Sequence, residues 1–142
     1  MIFYQILLIA SFLLLSCASS HKTQDAQTPM ERCKQLAAEK YRTDVEYLIG
    51  ENKDFVLCRT LSKSTALQPQ QSVRFFVYDL KNDSVVIEES YADGSVRWLD
   101  GRAIEVNYHL GVASKDPSVP HSVTYVFDLI TKQRSNSTKD IK

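Results

Sequence analysis

Apolar residues dominate the start of the chain. From Ile2 to Leu15 only Gln5 and Ser11 are polar. Residues 18–27 are polar and follow no period. At Thr28 a helical rhythm begins. Met30, Cys33, Ala37 and Tyr41 recur every three or four positions, with Leu36 beside them. That spacing makes one apolar stripe, while Glu31, Arg32, Lys34, Gln35 and Glu39 face water. Thr28 suits the N-cap, Pro29 the first helical position, and Glu31 completes a capping box. The helix is expected to end near Arg42.

Beyond the helix the period falls to two. Seven segments read as strands: Val45 to Ile49, Phe55 to Leu61, Val73 to Leu80, Val85 to Tyr91, one through Val96 and Trp98, Ile104 to Leu110, and Ser122 to Leu129. Val73 to Leu80 is apolar on both faces, as expected of a strand covered by the helix. Residues 62–72 are rich in Ser, Thr, Gln and Pro and read as a loop. Asp93-Gly94 predicts a two-residue hairpin pairing Tyr91 with Val96 and Glu89 with Trp98. Asp100-Gly101 predicts the next turn. An odd-numbered loop there, such as a glycine-bulge turn, keeps Val96 and Trp98 in phase with Ile104, Val106 and Tyr108. The expected fold is α+β, an N-terminal helix packed on an antiparallel β-meander of about seven strands. It occupies residues 28–134, and residues 135–142 read as a frayed tail.

Charge divides the chain at the same place as hydropathy. The 17 acidic and 17 basic residues all fall after residue 20, without a long run of either sign. That balance speaks against a basic nucleic-acid face and against a polybasic membrane patch. The fourteen residues from Ile2 to Leu15 are too few for a spanning helix, which needs ~20. They fit the apolar core of a secretion signal.

Leu14-Leu15-Ser16-Cys17 resembles the lipobox of bacterial lipoproteins. The resemblance implies that residues 1–17 hold a signal peptide and lipobox, and that Cys17 is diacylated and becomes the new N-terminus. Residues 18–27 would then be a flexible tether, holding the domain roughly 15–20 Å from a membrane. Ala18, not Asp, follows the lipid-bearing Cys, which favours an outer-membrane address in proteins of this kind. Cleavage after Ala18 is the alternative, since Ser16-x-Ala18 fits the small-x-small rule. The same resemblance accounts for the odd cysteine count. With Cys17 acylated, Cys33 and Cys58 remain as a pair in a compartment that favours disulfides. Their bond would close a loop of about 25 residues and stabilise by roughly 3–4 kcal/mol. Two buried free thiols are the alternative.

Phe76-Val77-Tyr78-Asp79-Leu80 is echoed by Tyr125-Val126-Phe127-Asp128-Leu129. With the segment between, this resembles one blade of a β-propeller. A propeller needs four or more blades and the chain could supply at most two, so shared turn chemistry at the two aspartates is the preferred cause.

Catalytic and cofactor motifs are missing from the sequence. It has no Gly-x-Ser-x-Gly, no Cys-x-x-Cys, no His-Glu-x-x-His and no Gly-rich phosphate loop, so neither a catalytic set, a metal site nor a cofactor is expected. Strand phase puts His109 and His121 on opposite faces, which argues against a shared metal. Glu88, Arg97, Glu105, Asn107 and Thr124 fall on the face opposite Trp98. They form either a recognition face or a solvated face with cross-strand pairs. The long loop from Ala113 to Pro120 is the other candidate for contact, through Ser114, Lys115, Asp116, Pro117 and Ser118, stiffened by its prolines. The expected role is a lipid-anchored binding or scaffold module for another envelope protein or a glycan. One alternative is a small-ligand pocket lined by Tyr41, Phe75, Tyr78 and Tyr108. Another is a hydrolase using Glu88 and Glu105, if these carboxylates converge.

Overall fold

The computed structural model describes residues 27–42, 44–62, 71–111 and 121–136. The expected lipid-bearing Cys17 and the loop residues 114–118 lie outside them. Helix α1 (Pro29–Tyr41) comes first. The Thr28 backbone N–H donates to the Glu31 carboxylate at 2.7 Å, and the Glu31 N–H donates to Thr28 Oγ1 at 3.3 Å. The expected capping box is therefore closed in both directions. Arg42 ends the helix in the left-handed region, at φ 52°.

Eight strands follow: β1 (Glu46–Ile49), β2 (Phe55–Leu61), β3 (Val73–Asp79), β4 (Ser84–Tyr91), β5 (Gly94–Trp98), β6 (Ala103–His109), β7 (Ser122–Asp128) and β8 (Gln133–Asn136). All neighbouring pairs are antiparallel. The class is α+β, but the strands do not form one meander. They form two four-stranded sheets, β1-β2-β3-β4 and β5-β6-β7-β8.

The break falls at Asp93-Gly94, where the sequence predicted a hairpin. Tyr91 pairs with Val73, and Gly94 pairs with Tyr108. Gly94 does not take the left-handed conformation that such a hairpin turn requires. Its backbone passes so close to β6 that a Cβ would sit 2.8 Å from the Asn107 carbonyl oxygen and 3.2 Å from Tyr91 Cβ and Tyr108 Cβ. Glycine is needed here for close approach at a crossover between sheets. The following turn keeps the expected phase, with Val96 opposite Val106 and Trp98 opposite Ile104. No glycine bulge is involved, because Gly101 is not left-handed either.

The eighth strand was not foreseen. Gln133 to Asn136 carries no apolar side chain and is exposed throughout. It holds to β7 by register, from Asp128 opposite Gln133 to Tyr125 opposite Asn136. The ordered structure therefore runs two residues into the segment expected to be a tail.

Packing makes three layers. Between the sheets lie Phe55, Leu57, Val73, Phe75, Val77 and Ile87 from one side, and Val96, Ile104, Val106, Tyr125, Phe127 and Leu129 from the other. On the opposite face of the first sheet, Cys33, Ala37 and Tyr41 of α1 meet Val56, Cys58, Phe76 and Tyr78. Thus β2 and β3 are apolar on both faces because a helix covers one and a sheet the other. Each fully buried Phe, Leu, Ile or Val side chain stabilises by roughly 1.5–3 kcal/mol relative to exposure.

The sandwich has two distinct ends. At one, the Arg32 guanidinium bonds Asp83 and the Gln27 carbonyl, so the chain enters the domain beside the β3–β4 turn. The Leu80 N–H donates to the Asp54 carbonyl in the β1–β2 turn. Gly101 lies against the Asn52 side chain, and the Leu129 N–H donates to the Arg102 carbonyl. These contacts gather four short turns at the entry end. The other end holds the β4–β5 crossover and both long connections. There Ser62 N–H bonds Ser72 O, Gly94 N–H bonds Gln71 O, His109 N–H bonds Asp93 O, and Leu110 N–H bonds His121 O.

Candidate functional site

Three groupings could carry chemistry or recognition. The first is the thiol pair. Cys33 on α1 and Cys58 on β2 are both fully buried, and their sulfurs touch at 3.4 Å. The two cysteines assigned to each other from the sequence are thus neighbours. They are unbonded in this structure, where a disulfide would bring them to ~2.05 Å. The bond to Cys33 and burial together push the Cys58 thiol far above its ordinary range. Cys58 is not a ready nucleophile, because the thiolate is the reactive form and Cys58 resists forming it, whereas the same contact with Cys58 lowers the Cys33 thiol.

The second is the outer face of the second sheet, which no helix covers among the described residues. Arg97 and Glu105 lie directly across β5 and β6, with Arg97 Nη2 at 2.6 Å and Nε at 2.8 Å from Glu105 Oε1. Asn107 donates to Thr124 Oγ1 at 2.6 Å. Arg97, Glu105 and Asn107 do share one face, but their polar groups answer one another across the strands. That is cross-strand pairing, and it leaves few donors free for a ligand. His109 is on the same face and pairs with Asp93 at 3.2 Å. Among the described residues no three His, Cys, Asp or Glu side chains are grouped to hold a metal ion.

Glu88 is not on that face. It lies opposite Phe76, on the helix side of the first sheet, where Lys40 Nζ donates to it at 2.8 Å. Glu88 and Glu105 therefore stand on opposite outer faces, with the sandwich between them. They cannot act as a carboxylate pair on one glycan, whose two acids must lie within ~10 Å across a single bond. The residues expected to line a ligand pocket are divided in the same way. Tyr41 and Tyr78 pack in the helix layer, whereas Phe75 and Tyr108 belong to the sandwich core. Alternation along a strand tells two faces apart but not which layer each face meets. Trp98 is half-buried against the core, and its Nε1–H donates to the Leu48 carbonyl at 3.0 Å.

The third grouping escaped the sequence. Glu89 turns inward from β4 and joins the two sheets. Its carboxylate accepts from Tyr91 Oη at 2.7 Å, from the Tyr125 hydroxyl and from the Arg134 guanidinium. Tyr91 stacks on Tyr108 with ring centroids 4.3 Å apart, and Arg134 lies over the Tyr125 ring at 4.9 Å. Burial first, and the nearby Glu89 carboxylate after it, hold both phenols protonated. Tyr91 is pushed up to about 12 and Tyr125 higher still. With its oxygens occupied by three donors, Glu89 acts as a clamp between sheets, not as a free base. One signal did exist: Ile87, Glu89 and Tyr91 alternate in phase, which puts an acid on an apolar face.

The far end keeps the last candidate. Gly111 and His121 flank residues 112–120 there, opposite the entry of the chain. Among the described residues no helix is long and apolar enough to cross a membrane. Comparison with family models, with curated proteins and with solved structures found no match for the chain.

Proposed function

We propose that the chain is an exported, lipid-anchored envelope protein whose sandwich presents its far end to another envelope component, a protein or a glycan. The carrying observation is the polarity of the domain. The described chain starts at Gln27, against Arg32 and the β3–β4 turn, while Gly111 and His121 flank residues 112–120 at the opposite end. An anchor at Cys17 and a contact surface at Ser114, Lys115, Asp116, Pro117 and Ser118 would then lie at opposite poles. The outer membrane is the preferred address, from Ala18 after the lipid-bearing Cys.

In that compartment Cys33 and Cys58 join as a disulfide, each thiol giving up one hydrogen to an envelope disulfide oxidant. Their 3.4 Å contact supports this, since a small closing movement completes the bond. It would staple α1 to the first sheet.

Crosslinking in intact envelopes, followed by capture of the full chain, tests the role. The wild type is compared with a variant in which Ser114, Lys115, Asp116 and Ser118 are replaced by Ala. A crosslinked species that disappears in the variant is expected, and an unchanged pattern refutes the proposed surface. The mass of the mature chain tests the anchor and the staple together. Diacylglycerol on Cys17 and two missing hydrogens are expected. An unmodified Ser19 terminus rejects the anchor.

A further inference from the structure

Among the described residues the exposed large apolar side chains are Ile49, Val85, Leu99, Leu110 and Ile130. Their placement is uneven. Ile49 closes β1 beside Gly50, Leu99 starts the β5–β6 turn, and Ile130 sits in the β7–β8 turn. Val85 lies one residue inside β4 from the β3–β4 turn. All four turns belong to the end where the chain enters. Leu110 alone is at the far end. Ile130 is 63% exposed, Ile49 52% and Leu99 50%, values that leave half or more of each side chain in water.

We infer that this entry end docks on the lipid surface itself, with Ile49, Leu99 and Ile130 entering the interfacial region of the bilayer. The inference rests on the lipid-anchor reading. Only ten residues separate Cys17 from Thr28, so the tether spans about 35 Å at full extension. The entry end is therefore confined near the membrane. At such an effective concentration even a weak apolar contact is populated.

The polar groups of this end are compatible with that position. Asp79, Asp100 and Asp128 turn back to accept backbone N–H groups of their own turns. Lys53, Lys81 and Lys132 are exposed, and long ammonium side chains can lie along an interface with their heads in water. Acidic and basic residues nearly balance here, so attraction to anionic headgroups is not the driving force. Apolar insertion carries the contact, which makes it insensitive to salt and independent of anionic lipid.

Trp98 is the only tryptophan of the chain and adjoins Leu99, so its fluorescence reports this end. The full chain, produced in a host that processes lipoproteins, is reconstituted into phosphatidylcholine vesicles with ordinary or brominated acyl chains. Emission about twofold lower in brominated vesicles is expected, at low and high salt alike. The double substitution Leu99→Asp with Ile130→Asp should abolish the quenching while the chain still sediments with vesicles. Leu110→Asp should leave it intact. Equal emission from a wild-type chain that sediments with both vesicles would overturn the docking and leave the anchor standing. A chain that stays in solution overturns both. Dimers in detergent that the double substitution dissolves would show that a second copy covers this end instead. The wild-type comparison needs no variant, so a misfolded variant cannot shield the inference.

Discussion

At the entry end every connection between strands is four or five residues long, and the chain solves each one locally. Asp79 accepts from the N–H groups of Lys81 and Asn82, and Asp128 accepts from those of Ile130 and Thr131. Asp83 and Lys132 then close the two turns in the left-handed region, at φ 53° and 57°. The far end is different. Its strands are joined by a two-residue crossover and two long connections, and its closure depends on side chains from different sheets. Glu89 with Tyr91, Tyr125 and Arg134 supplies part of it, and the Tyr91–Tyr108 stack another part. Each turn of the entry end is thus specified by neighbours in sequence, while the far end is closed by residues dozens of positions apart.

Removing a long-range polar group from the far end should therefore cost far more than removing a polar group at the entry end. Glu89→Ala takes the carboxylate acceptor from one buried phenol, one half-buried phenol and one guanidinium. It should cost about 2–3 kcal/mol in denaturant unfolding. Arg102→Ala at the entry end loses an exposed 3.5 Å pair with Asp128 and should cost no more than about 1 kcal/mol. Equal losses would erase the distinction.

Glycines sharpen it next. Gly94→Ala drives a Cβ against the Asn107 carbonyl, backbone that cannot swing aside, and should destabilise by about 1–3 kcal/mol. Gly101→Ala meets only the end of the Asn52 side chain, and Gly111→Ala meets nothing within 4 Å. Both should stay within about 0.5 kcal/mol of wild type in the same unfolding curves.

The contrast also explains what could be read from the sequence. The helix, its capping box and the Asp-closed turns were legible because their determinants lie within five residues of one another. The echo of Phe76 to Leu80 in Tyr125 to Leu129 is this turn chemistry used twice. Asp93-Gly94 misled because the dipeptide suits a tight turn, while the reason for its glycine is a strand that lies elsewhere in sequence. Gln133 to Asn136 was missed because an exposed edge strand needs no apolar residue. The face shared by Arg97, Glu105 and Asn107 followed from strand phase. The separation of Glu88 from Glu105 did not, since it depends on which sheet each strand joins.

Alkali should loosen the far end. Tyr91 titrates near 10 when unfolded and near 12 in the folded protein. The folded state therefore holds its proton more tightly, and this stabilisation is complete below pH 10. It is lost as the pH rises from 10 through 12, because the unfolded chain ionises first. Tyr125 shifts in the same direction and adds to the loss. Urea midpoints should fall across that range, and Tyr91→Phe should flatten the fall. An identical slope in the variant would remove Tyr91 from the account.

The entry end should instead respond to backbone changes. Lys132 holds a left-handed conformation that disfavours any side chain with a Cβ. Lys132→Gly relieves that strain but gives the unfolded chain more freedom, so a net gain of about 0.5 kcal/mol is expected in urea unfolding. A loss would mean that the Lys132 side chain itself supports the turn.

The smallest stability effect should come from the surface proposed for recognition. Replacing Ser114, Lys115, Asp116 and Ser118 by Ala while keeping Pro117 and Pro120 preserves loop length and the stiffness of the prolines. The base of the loop is secured outside the changed residues, by His109 paired with Ser122 and by the Leu110 N–H bonded to the His121 carbonyl. Unfolding should therefore stay within about 0.5 kcal/mol of wild type, while crosslinking in the envelope is lost. A residue set that costs no stability yet abolishes crosslinking has a task other than folding. A variant that unfolds more easily and still crosslinks would place those four side chains among the supports of the fold.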